Sequence, residues 1–186
     1  MPLLIATHRR RFLALLLGAT TICRCRAQSA AQALEYRIKA AFVCKFASYV
    51  MWPASVFATT DGPITIGVMA ADAVVDELTR TAADLFTSDR ALAVRRWQRG
   101  DSIAGVHILY ISSAEDGRLA ETLSRLSNQP VLIVTESNPL APGSMINFVV
   151  ADDKVRFDIA PQTAEASGLR ISVRLLGVAR SLVGTP

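Results

Sequence analysis

Three short apolar runs constrain this chain more than any other feature: Ile64-Thr65-Ile66-Gly67-Val68-Met69, Val106-His107-Ile108-Leu109-Tyr110-Ile111 and Val131-Leu132-Ile133-Val134-Thr135. The last two are too continuous for strands with one wet face, and the first is their counterpart. Strands buried in a parallel sheet are therefore expected. Amphipathic segments lie between them. Ala70 to Leu85 offers Asp72 as an N-cap and Val74, Val75, Leu78 and Leu85 as a buried side. Ser113 to Leu126 places Leu119, Leu123 and Leu126 at helical spacing, with Glu115 and Asp116 early and Arg125 late, as the helix dipole favours. Strand alternating with helix predicts a parallel layered sheet. Ala91 to Trp97, with its mixed polarity, is expected at an edge or half exposed.

The pattern changes after residue 144. Met145 to Val150 and Lys154 to Ile159 flank Ala151-Asp152-Asp153, which predicts a hairpin and an antiparallel edge. Pro161 to Ser167 reads as a helix broken at Gly168. Ile171 to Leu182 reads as a final helix with Ile171, Leu175, Val178 and Leu182 toward the core. The expected fold is therefore α/β: a single-layer mixed, mainly parallel sheet flanked by helices, with a C-terminal antiparallel hairpin. No repeat or linker divides it.

Ahead of the first strand, Tyr36 to Pro53 predicts a helix. Its wide apolar arc contains Ile38, Tyr49, Phe42, Phe46, Val50, Val43, Tyr36 and Ala47, with Cys44 and Lys45 on the opposite side. Pro53 disfavours helical geometry at Trp52 and so ends it there. Trp52 and Trp97 are either core or the lining of a ligand pocket.

The net charge of +4 and pI near 9.3 would suggest an anionic partner such as nucleic acid, but the charge is unevenly placed. Arg9, Arg10, Arg11, Arg24 and Arg26 precede Gln28, and all 16 acidic residues lie from Glu35 onward. Residues 34–186 carry 15 basic against 16 acidic groups, a net −1. The start of the chain has the layout of a secretory signal: a basic cluster, the apolar run Phe12 to Ala19, then small residues. Arg9-Arg10-Arg11-Phe12-Leu13 also matches the twin-arginine export pattern. Cleavage after Ala33, or after Ala27, would remove Cys23 and Cys25. Cys44 would then be a lone thiol with no disulfide in the mature chain. The expected organisation is a signal peptide over residues 1–33 and one domain over 34–186, exported to the periplasm and not an integral membrane protein.

Catalytic chemistry is hard to find in residues 34–186. His107 and Cys44 are the sole histidine and cysteine there. The first sits in an apolar strand as a structural histidine would, and the second reads as a small hydrophobe. Neither a two-histidine metal spacing nor a glycine-rich phosphate turn occurs after a strand. Gly143-Ser144 is turn chemistry rather than a nucleophile elbow. The pairs Asp76-Glu77, Glu115-Asp116 and Asp152-Asp153 are local neighbours. Arg90, Arg95, Arg96 and Arg99 form a patch too small for nucleic acid. A non-enzyme without cofactor or metal is expected.

Five motifs in order span the chain from Tyr36: Tyr36 to Phe42 with Phe46 to Pro53, Val106 to Ile111, Pro130 to Thr135, Gly143 to Phe148 with Val155 to Ile159, and Gly168 to Leu176. In this order and spacing they resemble the YfiR family of periplasmic proteins. The resemblance implies a regulator that binds the periplasmic sensor domain of the membrane-bound diguanylate cyclase YfiN and holds it inactive. That would lower cyclic di-GMP and biofilm formation. It further implies an α/β domain that forms homodimers. The family's best-known member carries disulfides, and this chain lacks cysteines at the equivalent places. The implied contact surface is the hairpin and the segment after it, with Ile146, Phe148, Asp158 and Ala164 as partner-binding residues. Equal parity puts Ile146 and Phe148 on one face of their strand. The competing reading is a periplasmic small-ligand-binding protein, with a pocket beside Trp52 or Trp97, reporting to another membrane receptor or sensor kinase.

Overall fold

The computed structural model describes residues 29–59, 61–84 and 90–184, without the side chains of Glu115 and Asp116. The expected signal region with Arg9 to Arg11, Cys23, Cys25 and Ala27, and the expected core residue Leu85, lie outside the described residues. The chain falls into two compact units, Met1–Tyr36 and Arg37–Pro186. Within the first, residues 29–36 are helical and largely exposed, and the Gln32 side chain donates to the Tyr36 hydroxyl at 2.7 Å.

Among the described residues the second unit is built on nine strands: β1 Val50–Met51, β2 Ile64–Met69, β3 Leu92–Arg96, β4 Ile108–Ile111, β5 Leu132–Thr135, β6 Ile146–Ala151, β7 Lys154–Ile159, β8 Arg170–Ile171 and β9 Ser181–Leu182. Seven form one sheet in the order β3-β2-β4-β5-β6-β7-β9, and β1 and β8 form a separate antiparallel pair. Only β6 and β7 run antiparallel within the large sheet. The α/β architecture with a mainly parallel sheet is thus as expected, and β3 lies at an edge. The hairpin does not end the sheet, because β9 pairs beyond it with Asp158 and Ile159.

The three apolar runs form the centre for the expected reason: β4 and β5 are buried along their whole length. Helix α1 (residues 37–46), α2 (Asp72–Asp84), α3 (Leu119–Arg125), α4 (Pro161–Ala166) and α5 (Val173–Leu176) supply the cover. The sheet grows from β2 in both directions, so right-handed crossovers place α2 and α3 on opposite faces. The strand registers sort the side chains accordingly. One face carries Val68, Tyr110, Val134, Ile146, Phe148 and Phe157. There α1 lays Phe42 and Phe46 onto Phe148 and Phe157, with ring centroids 5.3–6.2 Å apart. The other face carries Gly67, Leu109 and Ile133, then Thr135, Asn147 and Asp158. Gly67 is required by close approach, since an added Cβ would stand 3.2 Å from both Leu109 Cδ1 and Val106 Cγ1.

Several local expectations change. Helical geometry stops at residue 46 rather than at Trp52, because Val50 and Met51 pair as a strand with Ile171 and Arg170. The buried stripe of α1 is also rotated from the expected arc. Lys39, Ala40, Val43, Cys44, Phe46 and Ala47 are buried, whereas Ile38 and, beyond the helix, Tyr49 are each 36% exposed. Cys44, expected opposite the apolar arc, faces inward, and Lys39 does so as one half of an ion pair, while Lys45 is exposed as expected. Asp72 opens α2 rather than capping it, because the Ala71 carbonyl accepts from Val74 and Val75. Val74, Leu78 and Ala82 are its buried residues.

The expected final helix breaks into β8, α5 and β9. Leu175 is buried, Ile171 is half-buried, and Val178 and Leu182 are exposed. Strand pairing with β1 and β7 satisfies these backbone groups, which outweighs the short helical periodicity.

Candidate functional site

The hairpin and the chain after it are tied together by backbone and side-chain hydrogen bonds. Asp152 (φ 52°) and Asp153 (φ 56°) make a two-residue turn with both residues left-handed, and Ala151 pairs with Lys154. That turn matches the twist of the strands and fixes the register. The four residues expected to touch a partner are all interior: Ile146 is 0% exposed, Phe148 2%, Asp158 5% and Ala164 0%. Ile146 and Phe148 do share a face, but it is the one under α1. Asp158 points the other way and takes a two-pronged ion pair from Arg180, at 2.8 and 2.5 Å. Ala164 lies in α4, where its carbonyl accepts from Ser167 and Leu169. As direct surface contacts in the free chain these residues are corrected to core, the physical reason being cover by α1 and by the C-terminal segment.

Their neighbours form the surface. Val150 (58% exposed), Val173 (83%), Val178 (68%) and Met51 (60%) stand out, with Tyr49, Leu182 and Val183 also exposed. These side chains sit on firmly held backbone. Ser172 N–H donates to the Tyr49 carbonyl, Arg180 N–H to Phe157, and Val183 N–H to Ile159, each at 2.8 Å. The Ser172 hydroxyl caps α5 by accepting from Leu175 N–H. The Arg180 guanidinium is stabilised in its charged form by the hydrogen bonds and charge of Asp158.

Beneath the hairpin runs a polar row that the sequence did not suggest. Thr135, Asn147, Asp158 and Ser181 align across β5, β6, β7 and β9. Asn147 Oδ1 accepts from the Thr135 hydroxyl and Ser137 N–H, and its amide donates to the Ser137 carbonyl at 3.0 Å. Every partner is buried, so the network fixes the loop from β5 to β6.

Lys39 and Glu136 form a second interior polar group, Nζ to Oε1 at 3.0 Å with side chains 7% and 10% exposed. The Tyr110 hydroxyl donates to the same carboxylate. This links α1 to the ends of β4 and β5. A lysine inside an apolar helical stripe was its only trace in the sequence.

His107 has the structural role expected of it. Its Nδ1 accepts from Thr65 N–H at 3.0 Å, so the proton of the neutral ring sits on Nε2. Nε2 is buried without a partner among the described residues. The ring stacks on Phe57 at 4.7 Å, and Arg90 lies 3.8 Å over the other aromatic centroid. Burial, and then the charge of Arg90, lower its pKa. Trp52 belongs here too, half-buried, with its indole N–H on the His107 carbonyl at 3.1 Å. The hydrogen bond holds its indole against the start of β4.

Trp97 lies elsewhere. With Arg99, Asp101, Ile103, Arg125 and Leu126 it lines a cleft of about 180 Å³, and its indole N–H is buried without a partner among the described residues. Cys44 is fully buried, and desolvation pushes its thiol up to about 12, which removes thiolate chemistry at neutral pH. No helix among the described residues is long and apolar enough to cross a membrane.

No curated protein matches the chain. A protein-family model described as YfiR/HmsC-like matches residues 36–180.

Proposed function

The chain belongs to the YfiR/HmsC-like family, and from that membership we propose that it is a non-enzymatic periplasmic regulator. In this reading residues 1–33 are an export signal and residues 34–186 are the mature domain. The domain, as a homodimer, binds the periplasmic sensor domain of a membrane-bound diguanylate cyclase and inhibits it, so that cyclic di-GMP falls and biofilm formation with it.

One observation carries the reading. Apart from Leu34 and Ile38, the exposed large apolar side chains belong to the hairpin and the C-terminal segment (Val150, Val173, Val178, Leu182 and Val183) or to β1, which pairs with β8, and the residue before it (Met51 and Tyr49). Scattered exposed apolar residues are ordinary, but a concentration on hydrogen-bonded backbone is characteristic of a surface kept for a partner. Ile146, Phe148, Asp158 and Ala164 contribute as the packed floor that holds this surface in shape.

The test is a genetic one with a chemical readout. Deleting the gene should raise cellular cyclic di-GMP, and the wild-type gene should restore it. Val173→Asp with Val178→Asp, at positions 83% and 68% exposed, should leave folding intact and fail to restore. Unchanged cyclic di-GMP on deletion would sink the regulator reading. Full restoration by the double variant would remove the C-terminal segment from it.

A further inference from the structure

Between β1 and β2 the chain makes a short 3-10 turn, Ala54–Val56, in which no residue is buried. Among the described residues its backbone hydrogen bonds are internal: Val56 N–H to the Pro53 carbonyl at 3.2 Å and Phe57 N–H to Ala54 at 3.3 Å. A segment of this kind opens locally at small cost unless side chains hold it. Here the side chains meet at one residue. Phe57 stacks on the His107 ring at 4.7 Å, and the Trp52 ring stands edge-on to it at 6.3 Å, its indole N–H on the His107 carbonyl. We propose that this turn is an acid-released latch: protonation of His107 frees Phe57 and opens residues 52–57 while the sheet stays folded.

The hydrogen bonds at His107 admit only the neutral ring. Its backbone N–H donates to the Thr65 carbonyl at 2.9 Å, and its Nδ1 accepts from Thr65 N–H at 3.0 Å, which closes one end of the β2·β4 ladder. An imidazolium carries a proton on both nitrogens and accepts on neither. Protonation therefore sets two donors face to face across that 3.0 Å gap. Turning the ring over brings Cδ2 to the same place, which is no acceptor either. The second nitrogen gives no compensation, because Nε2 is buried without an acceptor among the described residues. The charged ring has to leave, and Phe57 lies across its face.

The surrounding groups act in the same direction. β2 presents the Thr65 peptide, β5 the Leu132 N–H on the His107 carbonyl, and the turn the Phe57 ring. The chain leading into β3 presents Arg90, whose guanidinium lies 3.8 Å over Phe57 and donates to the Gly62 carbonyl. Asp61 and Asp101, in the loops before β2 and β4, are exposed, and Asp101 accepts from Gln98 N–H. Burial and then Arg90 lower the His107 pKa, and no carboxylate offsets them. A released ring titrates near its ordinary 6.5, so opening grows by up to about tenfold for each pH unit below that value.

The inference concerns the isolated protein and does not depend on the regulator reading. Its test is hydrogen exchange of the isotope-labelled protein by NMR at pH 7.5 and 5.5, each corrected for the intrinsic exchange rate. Protection of the Thr65 amide and of the Trp52 indole N–H should fall about tenfold in acid. The Met145 amide, bonded to the Ile133 carbonyl inside the sheet, should keep its protection. His107→Gln offers Thr65 an acceptor that takes up no proton, so it should abolish the acid effect. In the wild-type protein the His107 ring signals should titrate over the same pH range as the loss of protection, a measurement that serves if the variant does not fold. Unchanged protection of Thr65 and Trp52, an equal acid effect in His107→Gln, a His107 titration outside that range, or loss at Met145 together with Thr65 would each overturn the latch.

Discussion

Replacing Lys39 by methionine keeps most of the apolar stem and removes the ammonium from a site where it is 7% exposed. In the intact protein Nζ lies 3.0 Å from Glu136 Oε1, and at an effective dielectric constant of about 20 that attraction is about 5.5 kcal/mol. Taking each ion out of water costs several kcal/mol, so the assembled pair is close to break-even. The single variant loses the attraction but retains the cost of burying Glu136, and losses of about 3–5 kcal/mol are typical of such a change. The Tyr110 hydroxyl still donates to the stranded carboxylate, which sets the expected loss near the lower end, about 3 kcal/mol. Adding Glu136→Gln removes the second charge while keeping an acceptor for Tyr110. The double variant should therefore recover at least half of the loss. Urea unfolding followed by circular dichroism, at constant m-value, measures both. A single-variant loss below about 1 kcal/mol, the scale of an exposed pair, would refute the argument. So would additive losses in the double variant, because neighbours in one ion pair must couple.

Three further outcomes follow from the same structure. The folded His107 titrates below the 6.5 of the unfolded ring, so the unfolded state takes up the proton first on acidification. Stability should be complete above about pH 7 and fall on the way to pH 5, with His107→Gln flattening the melting-temperature profile; a flat wild-type profile would contradict the buried neutral ring. Asp153→Gly relieves a left-handed conformation at φ 56° in the hairpin turn and should raise stability by about 0.5–1 kcal/mol in the same urea assay. A loss there would count against that turn geometry. The Cys44 thiol, fully buried and pushed up to about 12, should resist a disulfide reagent in the native protein and react stoichiometrically on unfolding; fast native reaction would place it at the surface.

The sheet was legible because continuous apolar runs admit few alternatives. The α1 stripe and the C-terminal segment were less so. A helical wheel places Lys39 within the apolar arc, but nothing local to Lys39 announces Glu136, which lies far along the chain. Ile171, Leu175, Val178 and Leu182 keep helical spacing, yet β1 and β7 offer hydrogen-bond partners to the flanking residues, and pairing across the fold overrides a short periodic signal. Asp158 read as a surface residue since aspartate is seldom buried unpaired, and its partner Arg180 also lies outside any local pattern. Each miss concerns a contact made at long range, where periodicity carries no information.

The polar row on β5, β6 and β7 explains why a partner surface cannot consist of these strands themselves. One face of β6 is closed by the aromatic rings of α1. On the other, Thr135 and Asn147 spend their hydrogen bonds on the loop over residues 136–144, and Asp158 is committed to Arg180. Opening either face to a partner would strand buried polar groups or aromatic area, at a cost a transient interface does not recover. Under the proposed regulator role, recognition would fall to the segments that seal the sheet. Substitutions in the strands should act through stability, lowering the melting temperature along with partner binding. Those at Val173 or Val178 should act on binding alone. Measuring both quantities on one set of variants separates the two, and a strand variant that loses binding at full stability would show that the seal opens.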